Sequence, residues 1–304
     1  MEYILKTNCL TKKYKDFAAL RGLTMSIPKG SIYGFVGKNG AGKTTLIRLI
    51  CGLQDADAGE YELFGVKNSE KDIFRSRRRM GAIVETPSIY LDMTAEDNLK
   101  QQADMLGRPS YEGIDELLHL VGLKDTGKKR ARNFSLGMRQ RLGIAIALCG
   151  DPDFLVLDEP INGLDPQGII EIRELILTLN RERKITVLIS SHILDELSKL
   201  ATHYGFIDHG QIVREMNAEE LERACRKCIR LTVTDVRALA MVLDKMGIEY
   251  KITDDHHADV YAKPILSAIT RELDQYGCDL ISADERDESL ESYYISLVGG
   301  GSHE

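Results

Sequence analysis

Several absences narrow what this chain can do. No apolar run approaches the ~18–20 residues that a bilayer-spanning helix needs. The opening Met1-Glu2-Tyr3-Ile4-Leu5-Lys6 has no signal-peptide core, so the chain is expected to be made and kept in the cytoplasm. There is no positive excess. The formal net charge of -7 argues against an extended nucleic-acid surface. Two basic runs, Arg75 with Arg77–Arg79 and Lys128–Arg130 with Arg132, read as solvated faces or partner contacts. No guanine-reading N-K-x-D and no heptad array is present. Six cysteines include one C-x-x-C, Cys225-Arg226-Lys227-Cys228, with no second pair nearby and only His256-His257 to complete a metal site. Ordinary thiols are the expected state. Cys51 and Cys149 lie in apolar helical stretches and read as small core residues.

At 304 residues the chain suggests about two domains, and its 43% hydrophobic and 29% charged content is that of a soluble globular protein. Its organising stretch is Gly37-Lys38-Asn39-Gly40-Ala41-Gly42-Lys43-Thr44-Thr45, which fits G-x-x-x-x-G-K-[ST]. An apolar strand, Ser31–Val36, precedes it, and the helix-forming Leu46–Ile50 follows. Glycines at 37, 40 and 42 let the backbone turn tightly and approach oxygen atoms closely. Loop N–H groups and the helix start then make a concave anion site. Lys43 supplies a point charge for the β- and γ-phosphates of a nucleotide, and the Thr44 hydroxyl a ligand for Mg²⁺.

A second station is Phe154-Leu155-Val156-Leu157-Asp158-Glu159. An apolar strand delivers two carboxylates at its C-terminal end, where α/β sheets bind ligands. Asp158 suits the Mg²⁺ shell. Glu159 suits a water aligned with the γ-phosphate. A third is Ser135, opening the helix through Leu148, either as a plain N-cap or as a second phosphate contact. A fourth is His192, following the strand Ile185–Ser190.

Short strands cover Tyr3–Thr7, Ala18–Arg21 and Leu23–Ile27, with Tyr14 in a Lys-rich turn. Strands return at Glu60–Phe64 and Arg79–Val84. Residues about 88–150 form a helical insertion. Thr94 caps one helix with Asp97 at N3, and Ser110 caps another whose inner face is Ile114, Leu117, Leu118 and Val121. Asp165-Pro166 opens a helix with Ile169, Ile172, Ile176 and Leu179 inward, and His209-Gly210 turns a hairpin. Residues 222–298 show two β-α-β passes, a small ferredoxin-like module, with a last helix over Ser289–Leu297. Residues 299–304 form a flexible tail.

These stations, in this order, resemble the ATP-binding subunit of ABC transporters over about residues 1–218. The resemblance implies an α/β P-loop ATPase fold with a parallel core sheet, an antiparallel β subdomain and a helical insertion. Tyr14 matches the adenine-stacking aromatic, and Gly37–Thr45 the Walker A loop. Ser135-Leu136-Gly137-Met138 stands at the signature, and Asp158-Glu159-Pro160 at Walker B with its catalytic Glu. Asn162-Gly163-Leu164-Asp165 matches the D-loop, and His192 the switch histidine. Two departures stand out. Leu136 and Met138 replace Gly and Gln in the signature. Glu85, in Ile83-Val84-Glu85-Thr86-Pro87, replaces the Q-loop Gln at the metal.

That Glu and the C-terminal module are similar to the bacitracin and lantibiotic exporters. The resemblance implies ATP and Mg²⁺ as cofactors and hydrolysis with Glu159 as base. It implies a head-to-tail dimer, homomeric or with a related subunit, in which Ser135, Gly137 and Asp165 meet the partner's nucleotide. It also implies an integral membrane permease as partner, placing the subunit on the inner face of the cell membrane, and no nucleic acid. The alternative expectation is a non-transport ABC ATPase or an ATP-sensing subunit.

Overall fold

In a computed structural model, which describes residues 2–225, 228–261, 265–286, 293–295 and 297, the chain opens with two long antiparallel strands. These are β1 (Tyr3–Tyr14) and β2 (Phe17–Pro28), whose buried faces carry Leu5, Leu10, Leu23 and Met25. The expected break before Tyr14 does not occur. β1 runs through the lysines, Tyr14 pairs with Phe17, and only Lys15-Asp16 turn. The reason is local: Lys12 ion-pairs with Asp57 at 3.2 Å, and Lys13 donates its backbone N–H to the same carboxylate. Lys15 absorbs the turn at φ 52.

After β3 (Ile32–Val36) and α1 (Lys43–Ile50), β4 (Ala58–Leu63) and β5 (Val66–Lys67) complete an antiparallel sheet in the order β2-β1-β4-β5. Helix α2 (Ile73–Arg77) leads to β6 (Met80–Ile83), and helices α3 (Ala95–Met105), α4 (Ile114–Leu120) and α5 (Leu136–Leu148) follow. The α/β texture resumes with β7 (Phe154–Asp158), α6 (Pro166–Arg183), β8 (Thr186–Ser191), α7 (Leu194–Ser198), β9 (His203–Asp208) and β10 (Gln211–Asn217). The central sheet runs β10-β9-β3-β8-β7-β6, parallel except for β10. Every residue of β3, β7 and β8 is buried, as strands covered on both faces must be. The fold class is α/β.

The helices between β6 and β7 pack on one another, and α5 lies over β6. Thr94 and Asp97 form a reciprocal capping box at the start of α3. Buried Asn98 bonds the backbone of Tyr90 from both sides, at 2.8 and 3.1 Å, which fixes the loop leaving β6. Ser110 does not cap α4. The helix starts later, at Gly113, whose φ of 86 supplies the turn, although Ile114, Leu117, Leu118 and Val121 are buried.

The chain divides into two units, Met1–Ala218 and Glu219–Glu304. Helix α8 (Ala218–Ala224) ends just before the first strand of the second unit, β11 (Cys228–Val233). Then come α9 (Val236–Met246), β12 (Tyr250–Ile252), β13 (His257–Val260), α10 (Leu266–Asp274) and β14 (Leu280–Arg286). The sheet is antiparallel in the order β12-β13-β11-β14. Leu231, Val233 and Val260 from the sheet pack with Leu239, Val242, Ile269 and Leu273 from its two helices. This is the β-α-β-β-α-β arrangement. The expected helix over Ser289–Leu297 and the tail over 299–304 lie largely outside the described residues.

One close approach tests the seat of α5. A Cβ on Gly81 of β6 would meet the Ala147 carbonyl oxygen of α5 at 2.3 Å. Gly81→Ala therefore forces strand and helix apart. It is expected to lower unfolding free energy by about 1–3 kcal/mol in a chemical denaturation series.

Candidate active site

The glycine loop joins β3 to α1 at the C-terminal edge of the parallel sheet. Gly42, the residue before α1, takes φ 111, and a Cβ there would stand 2.6 Å from the Ala19 carbonyl oxygen. No side chain caps α1, and no acid lies in its first turn. Its leading N–H groups thus face the loop's concavity, in keeping with the anion preference of a helix start. The contrast with its neighbours is direct. Ser135 caps α5 by accepting from the Met138 N–H at 3.2 Å, and Asp165 caps α6 by accepting from the Gly168 N–H at 3.0 Å.

Lys43 turns its ammonium back over the loop and donates to the carbonyl oxygens of Gly37 at 2.6 Å and Lys38 at 3.3 Å. It also lies 3.2 Å from Glu159 Oε1, with side-chain exposures of 6% and 20%. This contact is an ion pair without hydrogen-bond alignment, since Oε1 is buried and accepts no hydrogen bond among the described residues. The other oxygen, Oε2, is 2.8 Å from His192 Nδ1. Glu159 itself sits at φ 50, a conformation uncommon for a residue with a Cβ.

Beside it, the Thr44 hydroxyl donates to Asp158 Oδ2 at 2.8 Å. The Ser190 hydroxyl donates to Asp158 Oδ1 at 2.5 Å and accepts from the Glu159 N–H at 2.9 Å. Strand register explains the convergence: β8 lies between β3 and β7, pairing Ser190 with both Phe35 and Asp158.

A groove of about 250 Å³ opens over this cluster, lined by Tyr14, Phe17, Ala19, Asn39, Gly40, Gly42, Lys43, Thr44, Thr45 and Glu159. Tyr14 and Phe17 are 39% and 56% exposed, a cross-strand aromatic pair at the groove's mouth. The Tyr14 hydroxyl bonds Gln54. Ser135, Gly137 and Asp165 are not among the lining residues. Glu85 does not line the groove either. It stands at φ 62 after β6, and its carboxylate takes the Arg48 guanidinium, which projects from α1. Among the described residues no cluster of three or more His, Cys, Asp and Glu could hold a metal by itself. Burial pushes the Cys51 thiol up to about 12 and the Cys149 thiol to about 11, which removes both as nucleophiles.

The sequence model of the ABC transporter family matches residues 20–162. The bacitracin transport ATP-binding protein BcrA of Bacillus licheniformis is 40% identical over 304 residues, covering 99% of each chain. The chain belongs to the ABC transporter family. Within this family it is an ATP-binding subunit, an ATPase. The lantibiotic transport ATP-binding protein SrtF of Streptococcus pyogenes is 43% identical over 224 residues, 72% of this chain and 95% of SrtF. Among solved folds, the ATP-binding cassette MJ0796, determined as a dimer in a post-hydrolysis state with ADP and Pi, superposes with a TM-score of 0.64. It covers 70% of this chain and 98% of its own, at 24% identity, a likeness of fold.

The residues present fit what an ABC ATPase binds. An uncapped helix start, a glycine loop with no room for a Cβ at Gly37 or Gly42, and a buried ammonium suit a triphosphate. The Thr44 hydroxyl and Asp158 carboxylate are hard oxygen donors, 2.8 Å apart, of the kind Mg²⁺ accepts. Three residues escaped the sequence reading. Phe17 was legible only as the mirror of Tyr14 across a two-residue turn. Arg48 and Ser190 gave no signal, because their partners lie 37 and 32 residues away.

Gly42→Ala combines an unfavourable φ with a backbone clash. It is expected to destabilise the protein by about 1–3 kcal/mol. It should also weaken ATP binding by at least about tenfold, measured by calorimetry, a loss of ~1.4 kcal/mol of phosphate contacts.

Proposed function

We propose that this ABC ATPase powers the export of a peptide antibiotic, with Glu159 as the general base of hydrolysis. One observation carries the catalytic part: a single carboxylate reaches Lys43 with one oxygen and His192 with the other. Lys43 changes partner when a triphosphate enters, because three phosphates attract an ammonium more strongly than one carboxylate does. Glu159 Oε1 is then free to accept a proton from the attacking water, while His192 holds Oε2 and orients the carboxylate. Thr44 and Asp158 would hold Mg²⁺. When bound, the ion neutralises charge on the β- and γ-phosphate oxygens. Tyr14 and Phe17 offer the adenine two aromatic faces.

Ser135, Gly137 and Asp165 lie outside the groove of their own chain. They complete the groove of a second ATPase subunit in a head-to-tail dimer, homomeric or mixed. Dimeric MJ0796 supports the pairing of two such subunits. Residues 1–218 act as the ATPase domain, and the helical part, about 88–150, transmits closure to an integral membrane permease. No helix among the described residues is long and apolar enough to cross a membrane, which agrees with a separate permease holding the subunit at the membrane's inner face. The similarity to BcrA and SrtF supports peptide cargo. The module over 222–298 acts as an accessory: the SrtF match spans 95% of SrtF but only 72% of this chain.

Glu159→Gln is expected to cut ATP turnover by about 10²–10⁴-fold while ATP affinity is retained. An ATP-bound dimer should accumulate in size-exclusion chromatography. Surviving turnover with no ATP-dependent dimer would remove both assignments.

Glu85 enters this reading as a metal ligand once it exchanges Arg48 for Mg²⁺. The exposed Arg48 pair is worth at most about 1 kcal/mol, so it yields readily. Glu85→Gln should raise the Mg²⁺ concentration for half-maximal turnover on the order of tenfold, with ATP affinity unchanged. An unaltered Mg²⁺ titration would discard the metal role.

A further inference from the structure

We infer that Ser190 is a positioning residue for hydrolysis, holding Asp158 and Glu159 in their working arrangement through one hydroxyl. The inference rests on the reading above, in which these two carboxylates serve the metal and the attacking water. Ser190 is fully buried in the middle of the parallel sheet, directly beside Asp158 on β7. Its hydroxyl has one proton, and that proton goes to Asp158 Oδ1 at 2.5 Å. Its oxygen accepts the Glu159 N–H at 2.9 Å, and its own carbonyl accepts the same N–H at 3.2 Å.

Two consequences follow. The Asp158 carboxylate is pinned at both ends. Oδ1 is held inside the sheet by Ser190, and Oδ2 is turned toward Thr44 at 2.8 Å, the hydroxyl with which it would hold Mg²⁺. The Glu159 backbone is anchored at φ 50, a conformation that a residue with a Cβ adopts only when its surroundings impose it. That anchored backbone aims the Glu159 side chain between Lys43 and His192. Without the hydroxyl, Oδ1 has no donor in the sheet, and the Glu159 N–H keeps only its longer bond. Asp158 can then rotate off Thr44, and the Glu159 peptide can relax. Ser190 touches neither nucleotide nor water in this account. It acts through the two carboxylates.

The test uses the full-length chain. Ser190→Ala removes the hydroxyl. Ser190→Thr and Ser190→Val form an isosteric pair that differ in the hydroxyl alone. Measured together are kcat, KM for ATP, the Mg²⁺ concentration for half-maximal turnover, and ADP binding without metal. Ala and Val are expected to lose about 10–100-fold in kcat and to need more Mg²⁺, with ADP binding unchanged. Thr should recover most of the rate and the Mg²⁺ response. A Val enzyme as fast as Thr, or an Ala enzyme with wild-type kcat and Mg²⁺ response, overturns the inference. So does a loss of ADP binding in Ala equal to its loss of rate, since that marks a packing role. Glu159→Gln is run alongside. If it still turns over, the base assignment fails, while the Mg²⁺ response of the Ser190 variants continues to judge Asp158 positioning by itself.

Discussion

Asp158 ties the site together, because each oxygen of its buried carboxylate takes a hydroxyl from a different piece of chain. Hydrogen bonds to a charged acceptor are worth about 1.5–3 kcal/mol each, roughly twice a neutral bond. Two of them therefore outweigh the freedom of a short side chain. One comes from the helix after the glycine loop, the other from the strand leading to His192. The glycine loop, the acidic pair and His192 are held as one body by this carboxylate and by the parallel register of β3, β8 and β7.

The same site compensates its buried cation. Lys43 sits over the loop with two carbonyl oxygens and Glu159 for company, so the buried ammonium is compensated. Glu159 is shared rather than saturated, since Oε1 accepts no hydrogen bond among the described residues. The uncapped start of α1 has the same character. Where α3, α5 and α6 satisfy their first N–H groups with Thr94, Ser135 and Asp165, α1 leaves its own to a ligand.

Much of this was legible along the chain. The glycine loop, the paired acids after an apolar strand, and the Asp165-Pro166 helix start are local patterns, because turn geometry, strand burial and capping act over a few residues. Other features depended on partners that spacing does not name. Tyr14 belongs to a strand and not a turn, because Asp57 draws Lys12 and Lys13 into β1. The helix expected at Ser110 waits for Gly113. Glu85 turns to Arg48, a choice set by how α1 lies beside the loop after β6.

Sequence alone determined the chemistry carried by the chain: a phosphate-binding loop, two carboxylates and a histidine, each following an apolar strand, and a metal-suited hydroxyl in the helix after the loop. Local backbone rules suffice for that, since each group is presented by its own few residues. Tertiary structure alone decided which groups touch. The order β3-β8-β7 brings residues more than a hundred positions apart to within a hydrogen bond, Thr44 and Asp158 at |i−j| of 114 among them. Strand order is settled by the packing of whole layers, and no short stretch of sequence encodes it.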